Sequence, residues 1–150
     1  MATIVYYAPM TAAAVNGVPA LSRRRTGVWV LSGAQYALAA LTALCACSAL
    51  ARAADFAGHW YVPSPDDRYT ANADVLTGWT GGYFVTFFLP VAPLLAGLGL
   101  AVSVALFLQG HTAGRRGLTA TLAGSAVAML LVLVAAVSPA GMSLITWLID

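Results

Sequence analysis

The chain has 150 residues, 61% of them hydrophobic and only 8% charged, with a net charge of +2. A soluble domain carries roughly 25% charged residues to cover its surface, so this composition excludes an ordinary water-soluble globule. It also excludes a nucleic-acid partner, because no basic stripe interleaves with aromatics.

Lipid is the simpler solvent for such a chain, and the elements read accordingly. Residues 1–27 form a mildly apolar leader with Pro9, Asn16, Gly17 and Pro19, breakers that argue against a spanning helix. A breaker-rich terminus is ordered only where something holds it. The leader is therefore expected to pack on this chain or on a partner. It ends in Arg23, Arg24 and Arg25, placed to meet lipid headgroups.

The first apolar run is 28–51. At 1.5 Å per residue it is about 36 Å long, enough to cross a hydrocarbon core of about 30 Å. A cleavable signal is its rival, given the three arginines, the apolar core and Ala51-Arg52-Ala53. A signal core has about 7–15 residues, however, and this run is longer. Cys45 and Cys47 lie inside it. On a helix they point about 200° apart, so they cannot bridge each other. They read as small apolar residues.

Residues 52–82 are a polar stretch with four of the five Asp residues. Ser64-Pro65-Asp66-Asp67 reads as a solvated turn within a small cap. The second apolar run is 83–108, opening on Tyr83, Phe84, Phe87 and Phe88. Pro90 and Pro93 lie in its early turns and are expected to kink it or free backbone groups. Residues 109–117 form a short loop with Arg115 and Arg116, again at headgroup level. The third run is 118–137. The tail 138–150 breaks at Ser138-Pro139-Ala140-Gly141 and is too short to span. It is expected to be interfacial, or to continue as a helix past a kink. The fold class is thus all-α integral membrane, with three transmembrane helices.

Orientation follows from the arginines. Five lie on one side, in the leader and the 109–117 loop; Arg52 and Arg68 lie on the other, among the Asp residues. The positive-inside rule puts the N-terminus on the cytoplasmic side and the C-terminus outside. Trp60, Tyr61, Tyr69, Trp79, Tyr83 and Trp147 then fit an outer aromatic belt, and Trp29 an inner one.

Small residues recur every four positions: Gly33 and Ala37; Ala39, Ala43 and Cys47; Gly97, Ala101 and Ala105; Ala120, Gly124 and Ala128. Such stripes let helix backbones approach closely. Three spans use only some of these faces, so Gly97, Ala101, Gly124 and Ala128 are candidates for contact with another subunit. In the cap, Trp60, Tyr61, Asp66, Asp67 and Trp79 are the candidate interaction surface.

Chemistry is harder to find. No ionisable Asp or Arg lies centrally in any span, which argues against an ion-coupled transporter or proton pump. The spans offer Gln35, Thr42, Ser48, Thr86, Ser103, Thr119, Thr121 and Ser125, which can bond backbone or neighbouring helices. His59 and His111 fall on opposite sides, so they cannot share one haem. His59 with Asp66, Asp67 and Asp74 matches no cation-loop spacing. Nucleophile, zinc-protease and phosphate-loop motifs are missing. No cofactor or metal is expected. The leading reading is a non-catalytic accessory subunit of a larger membrane complex, possibly an energy-converting one. Its partners would be membrane lipids and other membrane subunits or itself. The alternatives are a homo-oligomeric channel or small-molecule carrier, and a redox or enzyme subunit using His59 or His111.

Overall fold

A computed structural model describes residues 18–70, 74–110 and 116–150, with side chains from Thr26 onward. It contains four helices: α1 (Val18–Ala57), α2 (Gly82–Leu108), α3 (Arg116–Val137) and α4 (Pro139–Ile149). The first three are long and apolar enough to cross a membrane. They run up, down and up. Val28, in the N-terminal third of α1, clusters with Leu106 and Phe107 at the end of α2 and Leu118 and Leu122 at the start of α3. At the opposite end Cys45, Ala49 and Ala53 meet Val85 and Leu89.

The helices pack through narrow seams. In α2 the buried positions are Val85, Leu89, Ala92, Ala96 and Ser103; in α3 they are Leu118, Leu122, Ser125, Met129 and Val132. Steps alternating four and three residues keep one edge of a helix facing its neighbour, as in left-handed bundles. Beyond the seams the surface is apolar. Only 17–22% of the most apolar window of each long helix is buried inside the bundle. Phe87, Leu94, Leu98, Leu108 and Val137 all point outward. Such a surface is far larger than soluble monomers tolerate.

Helix α1 begins at Val18, ahead of the expected 28, and runs on to Ala57 past the expected 51. Pro19 sits in its first turn, where the missing N–H has no helical partner to lose. It therefore starts this helix rather than breaking it. At about 60 Å, α1 is twice the thickness of a hydrocarbon core, and Arg23, Arg24 and Arg25 lie in its first turns. It ends at Gly58, whose φ of 74° is a left-handed conformation costly for a side chain. The Gly58 N–H donates to the Ala54 carbonyl at 2.8 Å. The leader up to residue 17, with its expected packing, lies outside the described residues, as do His111 and Arg115.

Pro90 and Pro93 leave α2 continuous from Gly82 to Leu108. They deprive the Thr86 and Leu89 carbonyls of their i+4 donors. The tail is a helix after a joint. Ser138 is extended (φ −65°, ψ 155°), and its hydroxyl accepts the Gly141 N–H. Pro139 then occupies the first helical turn.

One polar layer crosses the bundle interior. The Gln35 amide of α1 donates to the Gly99 carbonyl of α2 at 2.7 Å and to the Ser103 hydroxyl at 2.9 Å. Gly99 makes this possible, because a Cβ there would come within 3.1 Å of the Gln35 nitrogen. Ser32 of α1 and Ser125 of α3 are also fully buried. Gln35→Ala is expected to cost about 1–2 kcal/mol, the upper range for bonds between membrane helices. Gln35→Met, which keeps the volume, should cost less. Reversible unfolding of both variants in detergent checks the order.

Candidate functional site

Residues 58–70 and 74–81 and helix α4 pack at the end of the bundle where α1 stops. The unit is built around Asp67. Its carboxylate accepts the Tyr61 hydroxyl, the Tyr69 N–H at 3.2 Å and the Thr70 hydroxyl at 3.3 Å. Thr70 in turn accepts the Trp147 indole N–H at 2.9 Å. A chain of hydrogen bonds thus runs from α4 through Thr70 and Asp67 to Tyr61. Ser143 of α4 adds a second fastening, donating to the Pro63 carbonyl at 2.6 Å. Beneath these bonds, Leu144, Trp147 and Leu148 pack against Cys45, Ala49 and Ala53 of α1 and Val85 and Leu89 of α2. Burial raises the Tyr61 pKa above its ordinary value, and the hydrogen bond and charge of Asp67 raise it further.

The other half of the cap is held by Arg52. Its Nε donates to the Val75 carbonyl at 3.1 Å and its Nη2 to the Thr77 carbonyl at 2.7 Å. The guanidinium lies 4.8 Å from the centre of the Phe56 ring. Asp74 closes the turn by accepting the Thr77 hydroxyl and the Leu76 and Thr77 N–H groups. The Thr77 hydroxyl first, then the backbone donors and Arg52, hold its carboxyl below the usual range. A depressed folded pKa gives stability that is complete above the unfolded value of about 3.9 and fades as pH falls through the folded one. The Leu76 and Thr77 amides should therefore stay protected down to about pH 4 and lose protection below it. Asp74→Asn should abolish that pH dependence in hydrogen exchange.

These placements alter the reading of several residues. Asp66 is exposed, whereas Asp67 is 7% exposed and serves the interior of the cap. The turn forms, with the Asp67 N–H donating to the Ser64 carbonyl at 3.0 Å, but only its Asp66 side is solvated. Trp147 is 5% exposed, enclosed under the cap rather than turned outward. Trp60, 71% exposed, and Tyr83 are open. Trp79 packs on the core over Gly82, and Tyr61 is half-buried. His59 forms a triangle with Tyr61 and Tyr69, its ring centroid 5.6 Å from each. Among the described residues no three His, Cys, Asp or Glu side chains come together to hold an ion.

The small-residue stripes divide. Gly97 has nothing within 4 Å of where a Cβ would stand, and Ala101 is exposed, so this face of α2 looks away from the bundle. Gly33 and Ala37 do the same on α1. Gly124 instead faces the Tyr36 hydroxyl. Ala128 lines a cleft with Ala39 and Ala43. Arg116 begins α3. The Gln35–Ser103 contact and the role of Thr70 were not singled out from the sequence; both depend on residues more than 60 positions apart.

The chain was compared with protein-family models, curated proteins and solved structures, and nothing matches.

Proposed function

We propose that this chain is a non-catalytic, membrane-spanning subunit of a larger membrane assembly. The observation that carries this reading is the outward α2 face with Gly97 and Ala101, which no other helix covers among the described residues. Against lipid, such a face gains little; against another helix it permits close backbone approach and dispersion contact. The buried polar groups support the same reading. Gln35, Ser103 and Asp67 spend their hydrogen bonds inside the fold, and His59 rests among tyrosines.

The arrangement of arginines supports the N-terminus on the cytoplasmic side and the cap with α4 outside. Val28 of α1 packs with the end of α2 and the start of α3. Arg23, Arg24 and Arg25, which precede Val28 in α1, and Arg116, which begins α3, therefore lie toward that end, opposite Arg52 and Arg68.

Purification in mild detergent tests the assembly. A defined complex with other chains is expected, and Gly97→Leu with Ala101→Leu should release this subunit without unfolding it. A monodisperse lone chain would contradict the proposal. A defined homo-oligomer with measurable flux would replace it with a channel or carrier.

A further inference from the structure

A groove lies where α1 ends, lined by Ala51, Ala54, Asp55, Gly58, His59 and Trp60. Ala51, Ala54, Asp55 and Gly58 are spaced three and four apart, so they share one face of the helix end. The two alanine methyls keep the floor low. At Gly58, whose φ is 74°, the chain leaves the helix, and His59 and Trp60 complete the wall.

The chemistry of this lining is that of a cation site. Asp55 is exposed and, among the described residues, has no hydrogen-bond or ion-pair partner. Arg52, one turn before it, instead gives its Nε and Nη2 to the Val75 and Thr77 carbonyls. The C-terminal end of α1 adds the partial negative charge of its last carbonyls. His59 donates its Nδ1–H to the Ala57 carbonyl at 3.0 Å, the tautomer that leaves Nε2 an acceptor. Trp60 is 71% exposed and offers an indole, the ring that attracts cations best. Two ligand side chains, Asp55 and His59, fall short of what zinc or calcium takes. An indole beside a carboxylate suits an organic ammonium.

Height and strength select its source. With Val28 at one edge of a hydrocarbon core of about 30 Å, the other edge falls about 20 residues further along α1. The groove therefore stands at headgroup level on the cap side. Each contact is weak at an exposed site, so a dilute free amine gains too little to stay. A headgroup is confined beside the groove at high effective concentration. Beyond the His59 wall, Arg68 lies over the Tyr69 ring at 4.9 Å, and that ring is 5.6 Å from His59. A zwitterionic headgroup matches this order of charges.

We propose that the groove takes the ammonium group of a phosphatidylethanolamine headgroup. Asp55 and His59 accept its N–H bonds, Trp60 supplies a ring face, and the phosphate lies toward Arg68. Phosphatidylcholine has no N–H to give, and phosphatidylglycerol has no cation. The inference goes beyond membership of an assembly. It rests on the spanning reading, which fails separately if the chain stays soluble once detergent is removed.

The full chain, isotope-labelled at the tryptophan indole nitrogen, is held in neutral detergent, and the signal missing from Trp60→Phe is followed by nuclear magnetic resonance. Short-chain phosphatidylethanolamine is expected to shift that signal saturably. Its half-saturating concentration should be about fivefold below that of phosphatidylcholine and about tenfold below that of ethanolamine hydrochloride. Phosphatidylglycerol should leave the signal in place. Asp55→Asn should weaken the phosphatidylethanolamine response about fivefold, whereas Asp66→Asn, exposed and outside the groove, should not change it. An equal response to phosphatidylglycerol, or an unchanged response in Asp55→Asn, would overturn the proposal. Saturation by ethanolamine hydrochloride at the same concentration as the lipid would overturn the headgroup as its source.

Discussion

Gly141→Ala is expected to unlatch α4 and to cost about 3 kcal/mol or more, at the upper end of overpacking effects. The reason is the geometry of the α3–α4 joint. A Cβ on Gly141 would collide with the Ala135 carbonyl oxygen and stand 2.9 Å from that of Ala136. Both are backbone atoms of α3, so no side-chain rotation relieves the contact. The joint must open, and with it go the packing of Leu144, Trp147 and Leu148 and the Trp147–Thr70 hydrogen bond. Trp147 should move from a dry environment to a wet one. Its fluorescence, read in a background where the other three tryptophans are replaced by phenylalanine, should shift to longer wavelength. Met142→Ala, one position on and exposed, should stay within about 0.5 kcal/mol of the parent. Equal stability of the Gly141→Ala protein would mean that α4 does not dock in this way.

Asp67→Ala is expected to have the next largest effect, about 3 kcal/mol, the cost of stranding buried donors that served a charged acceptor. Three donors lose their acceptor at once: the Tyr61 hydroxyl, the Tyr69 N–H and the Thr70 hydroxyl. Thr70 is then free to turn away from Trp147. Asp67→Asn keeps one carbonyl oxygen and should recover about half of the loss. Asp66→Ala, on the exposed neighbour, should change little. Thermal unfolding in detergent, followed by near-ultraviolet circular dichroism, gives the ranking. A ranking with Asp66→Ala below Asp67→Ala would contradict the buried-acceptor account.

The contrast between these two aspartates marks what the sequence alone reveals. Three apolar runs of spanning length are visible in composition, and the structure carries three such helices. Their outlines were legible because hydrophobicity is a local property of the chain. The limits of α1 were less so. Pro19 reads as a breaker in isolation, and only its place in a first turn makes it a helix start. In sequence the Ser64–Asp67 turn reads as solvated throughout, because nothing local separates Asp66 from Asp67. What separates them is Tyr61, Thr70 and, through Thr70, Trp147 from the far end of the chain. The small-residue stripes were ambiguous for a related reason. Spacing of four identifies a face, but only the packed bundle tells Gly124, against Tyr36, from Gly97, against nothing. Gln35 was visible as a polar residue in a span; its partner Gly99 was not, because a backbone carbonyl leaves no mark in a sequence.

The cap and the α2–α3 loop should lie on opposite faces of a bilayer, and one labelling experiment reads this directly. In a background with Cys45→Ala and Cys47→Ala, Ser64→Cys and Gly117→Cys are made separately, both at exposed positions. Intact cells are treated with a membrane-impermeant maleimide, then permeabilised and treated again. Labelling of the Ser64→Cys protein before permeabilisation, and of the Gly117→Cys protein only after it, is the expected result. Labelling of both from the same face would contradict the spanning arrangement on which every proposal for this chain depends.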